Sequence, residues 1–143
     1  MKTSQISGTE LSLALERLVR LIREISAGGG VSPTAATVLS RLRRMGPTRL
    51  TELARAEGLS QPGTTQLVTR MERDGLVHRT AAAEDRRAVL VEISDEGRAV
   101  LDERRAHRAA VLDDLLARLD PDDQAAIAAA LPALDRLVDG VSD

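Results

Sequence analysis

The chain contains no cysteine, tryptophan, tyrosine or phenylalanine. Without thiols, disulfides, thiolate metal sites, cysteine nucleophiles and thiol-based redox sensing are excluded. Without aromatic rings the core has to be built from Leu, Val, Ile, Ala and a few Met, which suits helices packed through Leu and Ala ridges. Long apolar runs are missing as well. The longest uncharged run, Ile25 to Ser40, holds three glycines and a proline and falls short of the ~20 apolar residues of a spanning helix. No membrane partner is therefore expected. Met1-Lys2 is followed by polar residues and not by an apolar stretch, so a secretion signal is not expected and the cytoplasm is the expected compartment. Histidine is scarce: His78 and His107 are the only two, and no His-x-x-x-His, Gly-rich phosphate loop or Gly-x-Ser-x-Gly occurs. The expectation is no enzyme, no cofactor and no metal site, because two histidines would have to recruit carboxylates from a partner chain.

What is present is a chain of 143 residues, 43% hydrophobic and 29% charged. That is the size and balance of one globular domain, here residues 1–143. The net charge of −2 conceals an uneven distribution. Residues 41–87 carry ten arginines against six acids, and residues 88–143 carry six arginines against thirteen acids. A basic middle within an acidic chain fits a polyanion footprint, and equally a solvated surface whose charges cluster.

Residues 10–26 place Leu11, Leu15, Leu18, Ile22 and Ile25 on one helical face. Gly28-Gly29-Gly30 is expected to end that helix. Ser32-Pro33 then supplies an N-cap followed by proline at the first helical position, opening a helix to about Met45 that Gly46-Pro47 ends. Leu50–Ser60 is expected to hold a short helix, capped by Thr51 and closed by Gly58 in the left-handed conformation. Ser60 caps the next helix, which runs to Asp74 with Leu67, Val68 and Met71 facing inward. Two short helices joined by a tight glycine-containing turn are a helix-turn-helix signature. After Gly75 the period changes. Leu76–Thr80 and Val89–Ile93 read as two β-runs flanking a charged tip, a hairpin in the position of a wing. Ser94, followed by Asp95 and Glu96, opens a long helix to about Arg118. Its stripe is Leu101, Arg105, Arg108, Leu112, Leu115 and Leu119. Asp120-Pro121 opens a last helix with Ile127, Leu131, Leu134 and Val138 on one face, which Pro132 is expected to kink.

This order of elements resembles the MarR family of bacterial transcription regulators. The residues carrying the likeness are Leu50-Thr51-Glu52-Leu53-Ala54, Gly58-Leu59-Ser60-Gln61-Pro62, Arg70–Val77, Asp85–Val91 and Ser94-Asp95-Glu96-Gly97. They fall within a match over roughly residues 10–138. The resemblance implies a mainly α fold with a small β-wing: a winged helix-turn-helix over 32–93, its wing at 76–93, flanked by dimerisation helices at 10–26 and 95–138. It also implies a homodimer, whose two recognition helices would require half-sites ~34–36 Å apart on a pseudo-palindromic operator in double-stranded DNA. Repression is the family's more frequent habit. Members often release DNA when a small, frequently anionic aromatic compound binds. Here the polar anchors open to such an effector are Arg17, Arg20, Arg23 and His107, in a pocket without aromatic stacking partners.

A recognition helix presents its N-terminal side chains to base edges in the major groove. In this sequence those are Ser60, Gln61, Pro62, Gly63, Thr64, Thr65, Gln66, Thr69 and Arg70. Gln pairs bidentately with adenine, Thr donates, accepts or touches a thymine methyl, and Arg favours guanine or phosphate. Three threonines in mid-helix are poor helix formers, better explained on an exposed face as readers than as scaffold. Thr48, Arg49 and Arg73 suit phosphate contacts, which position without reading sequence. By resemblance, Arg87 enters the minor groove, Asp85 holds it by a hydrogen-bonded pair, and Arg86 touches the backbone. Arg70 and Arg73 beside Glu72 and Asp74 also fit an ordinary charged helix surface, and Arg86 and Arg87 a solvated hairpin tip. The sequence departs from the family at Gly63-Thr64-Thr65-Gln66, where a threonine, a small apolar residue, a serine and often an arginine are usual. An altered operator is expected to follow. Ala81-Ala82-Ala83 replaces a wing segment that often contains proline and aspartate, which predicts a more mobile wing. Two other readings stay open: a winged helix that binds protein, and a ligand-binding protein that keeps the fold without operator binding.

Overall fold

A computed structural model describes residues 5–27 and 30–141. The chain divides into two compact units, Met1–Ala106 and His107–Asp143. The first contains α1 (Gly8–Ser26), α2 (Pro33–Met45), β1 (Thr48–Arg49), α3 (Leu50–Ala56), α4 (Gln61–Arg73), β2 (Val77–Ala81), β3 (Val89–Ile93) and the start of α5 (Asp95–Ala117). The second contains the rest of α5 and α6 (Pro121–Asp139).

Helix starts follow the side-chain chemistry. Ser7 and Glu10 form a reciprocal capping box: the Glu10 N–H donates to Ser7 Oγ at 3.1 Å and the Ser7 N–H to Glu10 Oε2 at 2.8 Å. Hydrogen bonding from the Ser7 backbone, and then from its side chain, holds the Glu10 pKa below the ordinary glutamate value. Ser32, Ser60 and Asp120 accept from the third residue of α2, α4 and α6 respectively, each with proline in the first turn. Gly46, Gly58 and Gly75 all have positive φ (80°, 65° and 77°), the turn conformation that L side chains rarely adopt. One expectation needs correction. Thr51 does not cap α3. The helix begins at Leu50, its N-cap at Arg49, two residues before Thr51, and without a side-chain cap bond, because Arg49 is already held in a strand. That strand, β1, has only two residues, too short to show a period. The expected glycine stop at Gly28-Gly29 falls outside the described residues; α1 ends at Ser26 with Ala27 as C-cap. Helix α6 continues through Pro132 to Asp139.

The three strands form an antiparallel sheet in the order β1-β3-β2, with Thr48 opposite Val91 and Val77 opposite Ile93. Period-two alternation sends Val91 and Ile93 inward and leaves Glu92 outside. The core is aliphatic throughout. Val38, Leu39 and Leu42 from α2 meet Leu53 from α3, Leu67, Val68 and Met71 from α4, and Val77, Val91 and Ile93 from the sheet. Burying the inner face of α4 fixes the helix as a rigid body and leaves its other face outside.

At the junction of sheet and α5, Ser94 does three things. Its N–H donates to the Leu76 carbonyl at 3.0 Å, its hydroxyl donates to the Gly75 carbonyl, and the same oxygen accepts the Gly97 N–H at 3.0 Å. It therefore caps α5 and ties that cap to the turn after α4. By contrast, α1 and α6 bury no residue at all. Leu13, Leu15, Leu18 and Val19 of α1 are exposed, and so are Ile127, Leu131, Leu134 and Val138 of α6.

Candidate nucleic-acid interface

The outer face of α4 carries the side chains singled out for base contact. Ser60, Gln61, Pro62, Gly63, Thr65, Gln66, Thr69 and Arg70 are all exposed. Ser60 is occupied in capping, its Oγ accepting the Gly63 N–H at 3.1 Å. A Cβ on residue 63 would lie 2.9 Å from that oxygen, so glycine there leaves the cap undisturbed. Thr64 is a correction. It was expected on the exposed face, but its side chain is fully buried, and its hydroxyl donates to the Ser60 carbonyl at 2.8 Å. The cause is helical geometry: position 64 precedes Leu67 and Val68 by three and four residues and shares their inward stripe.

Beside the helix N-terminus lies a cleft of about 370 Å³ lined by Arg49, Leu50, Thr51, Gln61, Asp85, Arg87, Ala88 and Val89. It brings together Arg49 from β1, Gln61 from the recognition helix and Arg87 from the wing. Two cations against one carboxylate, Asp85, thus lie beside the first turn of a helix whose N-terminus carries partial positive charge, a net positive arrangement suited to phosphate. Thr48 is half-buried, its hydroxyl donating to the Gly46 carbonyl at 3.0 Å. Arg73, the last residue of α4, is exposed. Leu50 and Thr51 line this cleft without having been expected there; only the tertiary fold places them beside the wing.

The wing tip holds a second correction. Asp85 does not pair with the Arg87 guanidinium. Its Oδ1 accepts the Arg87 backbone N–H at 2.9 Å, and its carbonyl accepts the Ala88 N–H at 3.0 Å. Asp85 shapes the turn by the short-range side-chain-to-backbone bond typical of aspartate. The Arg86 and Arg87 side chains remain exposed.

A residue not anticipated from the sequence joins wing and recognition helix. Arg79 of β2 donates its backbone N–H to Glu72 Oε2 at 2.8 Å, and its Nε and Nη2 to Glu72 Oε1 at 3.2 and 3.1 Å. Its Nη1 lies 3.5 Å from Thr69 Oγ1. Opposite charges seven residues apart across the Gly75 turn were the available signal. The backbone and side-chain bonds from Arg79, then the charge of its guanidinium, hold the Glu72 pKa below its ordinary value. A depressed carboxylate pKa stabilises the fold above the unfolded-state pKa, and the contribution fades as pH falls through the folded-state pKa. Glu72→Gln should therefore lower the melting temperature at pH 7, and the gap from wild type should narrow as the pH falls below 4. A gap unchanged across that range would contradict the assigned role.

The four residues weighed for an effector are exposed. Arg20 and Arg23 line an open groove of about 640 Å³ along α1 with Leu11, Leu15 and Val19; Arg17 and His107 do not line it. His78 is exposed on edge strand β2, opposite Glu92.

A model of the MarR family matches residues 31–89. A putative transcriptional regulator of Pseudomonas aeruginosa PA01, known from a crystal structure, is 31% identical, with 93% of this chain and 98% of that one covered and a TM-score of 0.73. The chain belongs to the MarR family. The transcriptional repressor MdtR of Bacillus subtilis is 28% identical over 78% of this chain and 75% of its own. Transcriptional regulator Tm0710 of Thermotoga maritima, 24% identical, shares the fold with a TM-score of 0.81 over 94% of this chain and 99% of that one. As a MarR-family protein the chain is a DNA-binding transcription regulator of winged helix-turn-helix architecture. Its family match spans α2 to the first residue of β3, the segment holding the recognition helix and both cleft arginines.

Proposed function

We propose that the protein is a homodimeric repressor that reads a pseudo-palindromic operator in double-stranded DNA and is released by a small-molecule effector. One observation carries the DNA half of this reading. The exposed face of α4 presents Gln61, Thr65, Gln66, Thr69 and Arg70 beside a cleft that Arg49 and Arg87 both line. Side chains from α4 enter the major groove, while Arg49 and Arg73 fix the backbone and Arg87 meets the minor groove. Repression is supported by the name of the Bacillus relative.

Dimerisation is supported by the uncovered apolar faces of α1 and α6, rows of aliphatic side chains of the kind that mark interfaces. Effector release is supported by Arg20 and Arg23 in the groove along α1, two cations against the single carboxylate of Glu16, a net positive lining suited to an anionic compound. Such a ligand acts only through better binding to the form that does not hold DNA.

The dimer test joins assembly to function. Wild type should sediment at twice the 15.3 kDa chain mass. Leu131→Glu, which places a charge on the exposed face of α6, should shift it toward monomer and weaken operator binding in parallel. A monomeric variant that binds the operator as tightly as wild type would overturn the dimeric reading.

A further inference from the structure

The hydroxyls of the recognition helix are turned back onto the helix itself. Thr65 Oγ1 donates to the Gln61 carbonyl at 3.0 Å, and Thr69 Oγ1 donates to the Thr65 carbonyl at 2.7 Å. A hydroxyl has one proton, so neither side chain has one left for a base. Thr69 is committed further, because Arg79 Nη1 faces its oxygen at 3.5 Å. Both residues are nevertheless exposed, one turn apart on the same face. With the hydroxyl proton committed to the preceding turn, the γ-methyl is the part of each exposed threonine left for a contact that needs no proton. Gln61 and Gln66, on the same surface, make no side-chain hydrogen bond among the described residues, so their carboxamides are open to bases.

We infer that Thr65 and Thr69 read operator sequence through their methyl groups, by apolar contact with the C5-methyl of thymine and not by hydrogen bonding. The major-groove edge of thymine displays a methyl and that of adenine an acceptor–donor pair. An outer face that carries both threonine methyls and free glutamine carboxamides therefore complements A·T pairs on both strands. The inference rests on the proposed insertion of α4 into the major groove and adds which bases it reads and by which atoms.

Uracil differs from thymine only by the missing methyl, which supplies the test. The duplex bound most tightly from a random-sequence pool is compared with the same duplex carrying deoxyuridine in place of thymine in both half-sites. Wild type should bind the substituted duplex roughly fourfold more weakly per methyl lost, the worth of one methyl-sized apolar group. Thr65→Val and Thr69→Val keep the methyl and should bind the thymine duplex within twofold of wild type. Thr65→Ser keeps the hydroxyl and loses the methyl, so it should bind more weakly and respond less to the uracil exchange. Circular dichroism of each variant confirms that the helix is retained. Equal affinity for the thymine and uracil duplexes, or valine variants as weak as the serine variant, would overturn the methyl reading while leaving DNA recognition intact. Failure of the pool to yield any preferred duplex would overturn that recognition too.

Discussion

Gly97→Ala is expected to destabilise the protein by about 3 kcal/mol, the upper end of the usual range for adding a methylene to a packed site. The first turn of α5 runs against the end of the hairpin so closely that a Cβ at position 97 would collide with the Leu76 carbonyl oxygen. The new atom would also lie 2.8 Å from Ile93 Cγ1 and 3.3 Å from Leu39 Cδ2. Side-chain rotation relieves only the last two contacts. The first is backbone, and the Leu76 carbonyl also accepts the Ser94 N–H at 3.0 Å. Moving α5 away would strain that bond together with those of the Ser94 hydroxyl to the Gly75 carbonyl and the Gly97 N–H. The expected drop in melting temperature is on the order of 10 °C for a chain of this size. Gly8→Ala is the control: it opens α1, has negative φ and no atom within 4 Å of a new Cβ, and should melt within about 2 °C of wild type. A Gly97→Ala protein that melts with wild type would mean that α5 does not start against the sheet as described.

The second large effect falls on DNA binding. Arg87→Ala should weaken binding to every duplex by about 1–3 kcal/mol per half-site, roughly fivefold or more, without changing which bases are preferred. Arg87 is exposed at the wing tip and lines the cleft with Arg49 and Gln61. Its position is set by the turn in which Asp85 accepts the Arg87 N–H, not by a charge pair between the two side chains. The two arrangements have different consequences. Asp85→Asn retains an oxygen able to accept the backbone N–H and should bind DNA nearly as wild type does. Asp85→Ala loses the bond and should reproduce part of the Arg87→Ala loss. If the asparagine variant bound as weakly as Arg87→Ala, the aspartate would be acting through its charge.

Most of the fold was legible because short-range chemistry wrote it. Ser32-Pro33, Ser60-Gln61-Pro62 and Asp120-Pro121 mark helix starts through hydrogen bonds made within three residues, and Gly46, Gly58 and Gly75 mark turns through their own φ. Strand β1 was not legible, since two residues have no period and their pairing with β3 spans more than forty positions. The same limit explains Thr51, whose role as a cap was displaced by a pairing that only the folded chain makes. At the site, residue types were readable and orientations were not. Thr64, Thr65 and Thr69 look alike in the sequence, yet the first belongs to the core and the other two to the surface. The clamp of Arg79 on Glu72 depends on how β2 lies beside α4. The closeness of Gly97 to the Leu76 carbonyl likewise arises only once α5 meets the hairpin.

The most direct test of sequence-specific DNA recognition is a titration of the purified protein against duplex DNA from upstream of its own gene. An unrelated duplex is titrated alongside, each at several salt concentrations. Tight binding to the first duplex should fall steeply with salt, the logarithm of the affinity declining by ~0.9 per neutralised phosphate on a log–log plot. Arg87→Ala should lower both that affinity and the slope. Absence of binding to either duplex, even at low salt, would contradict the account.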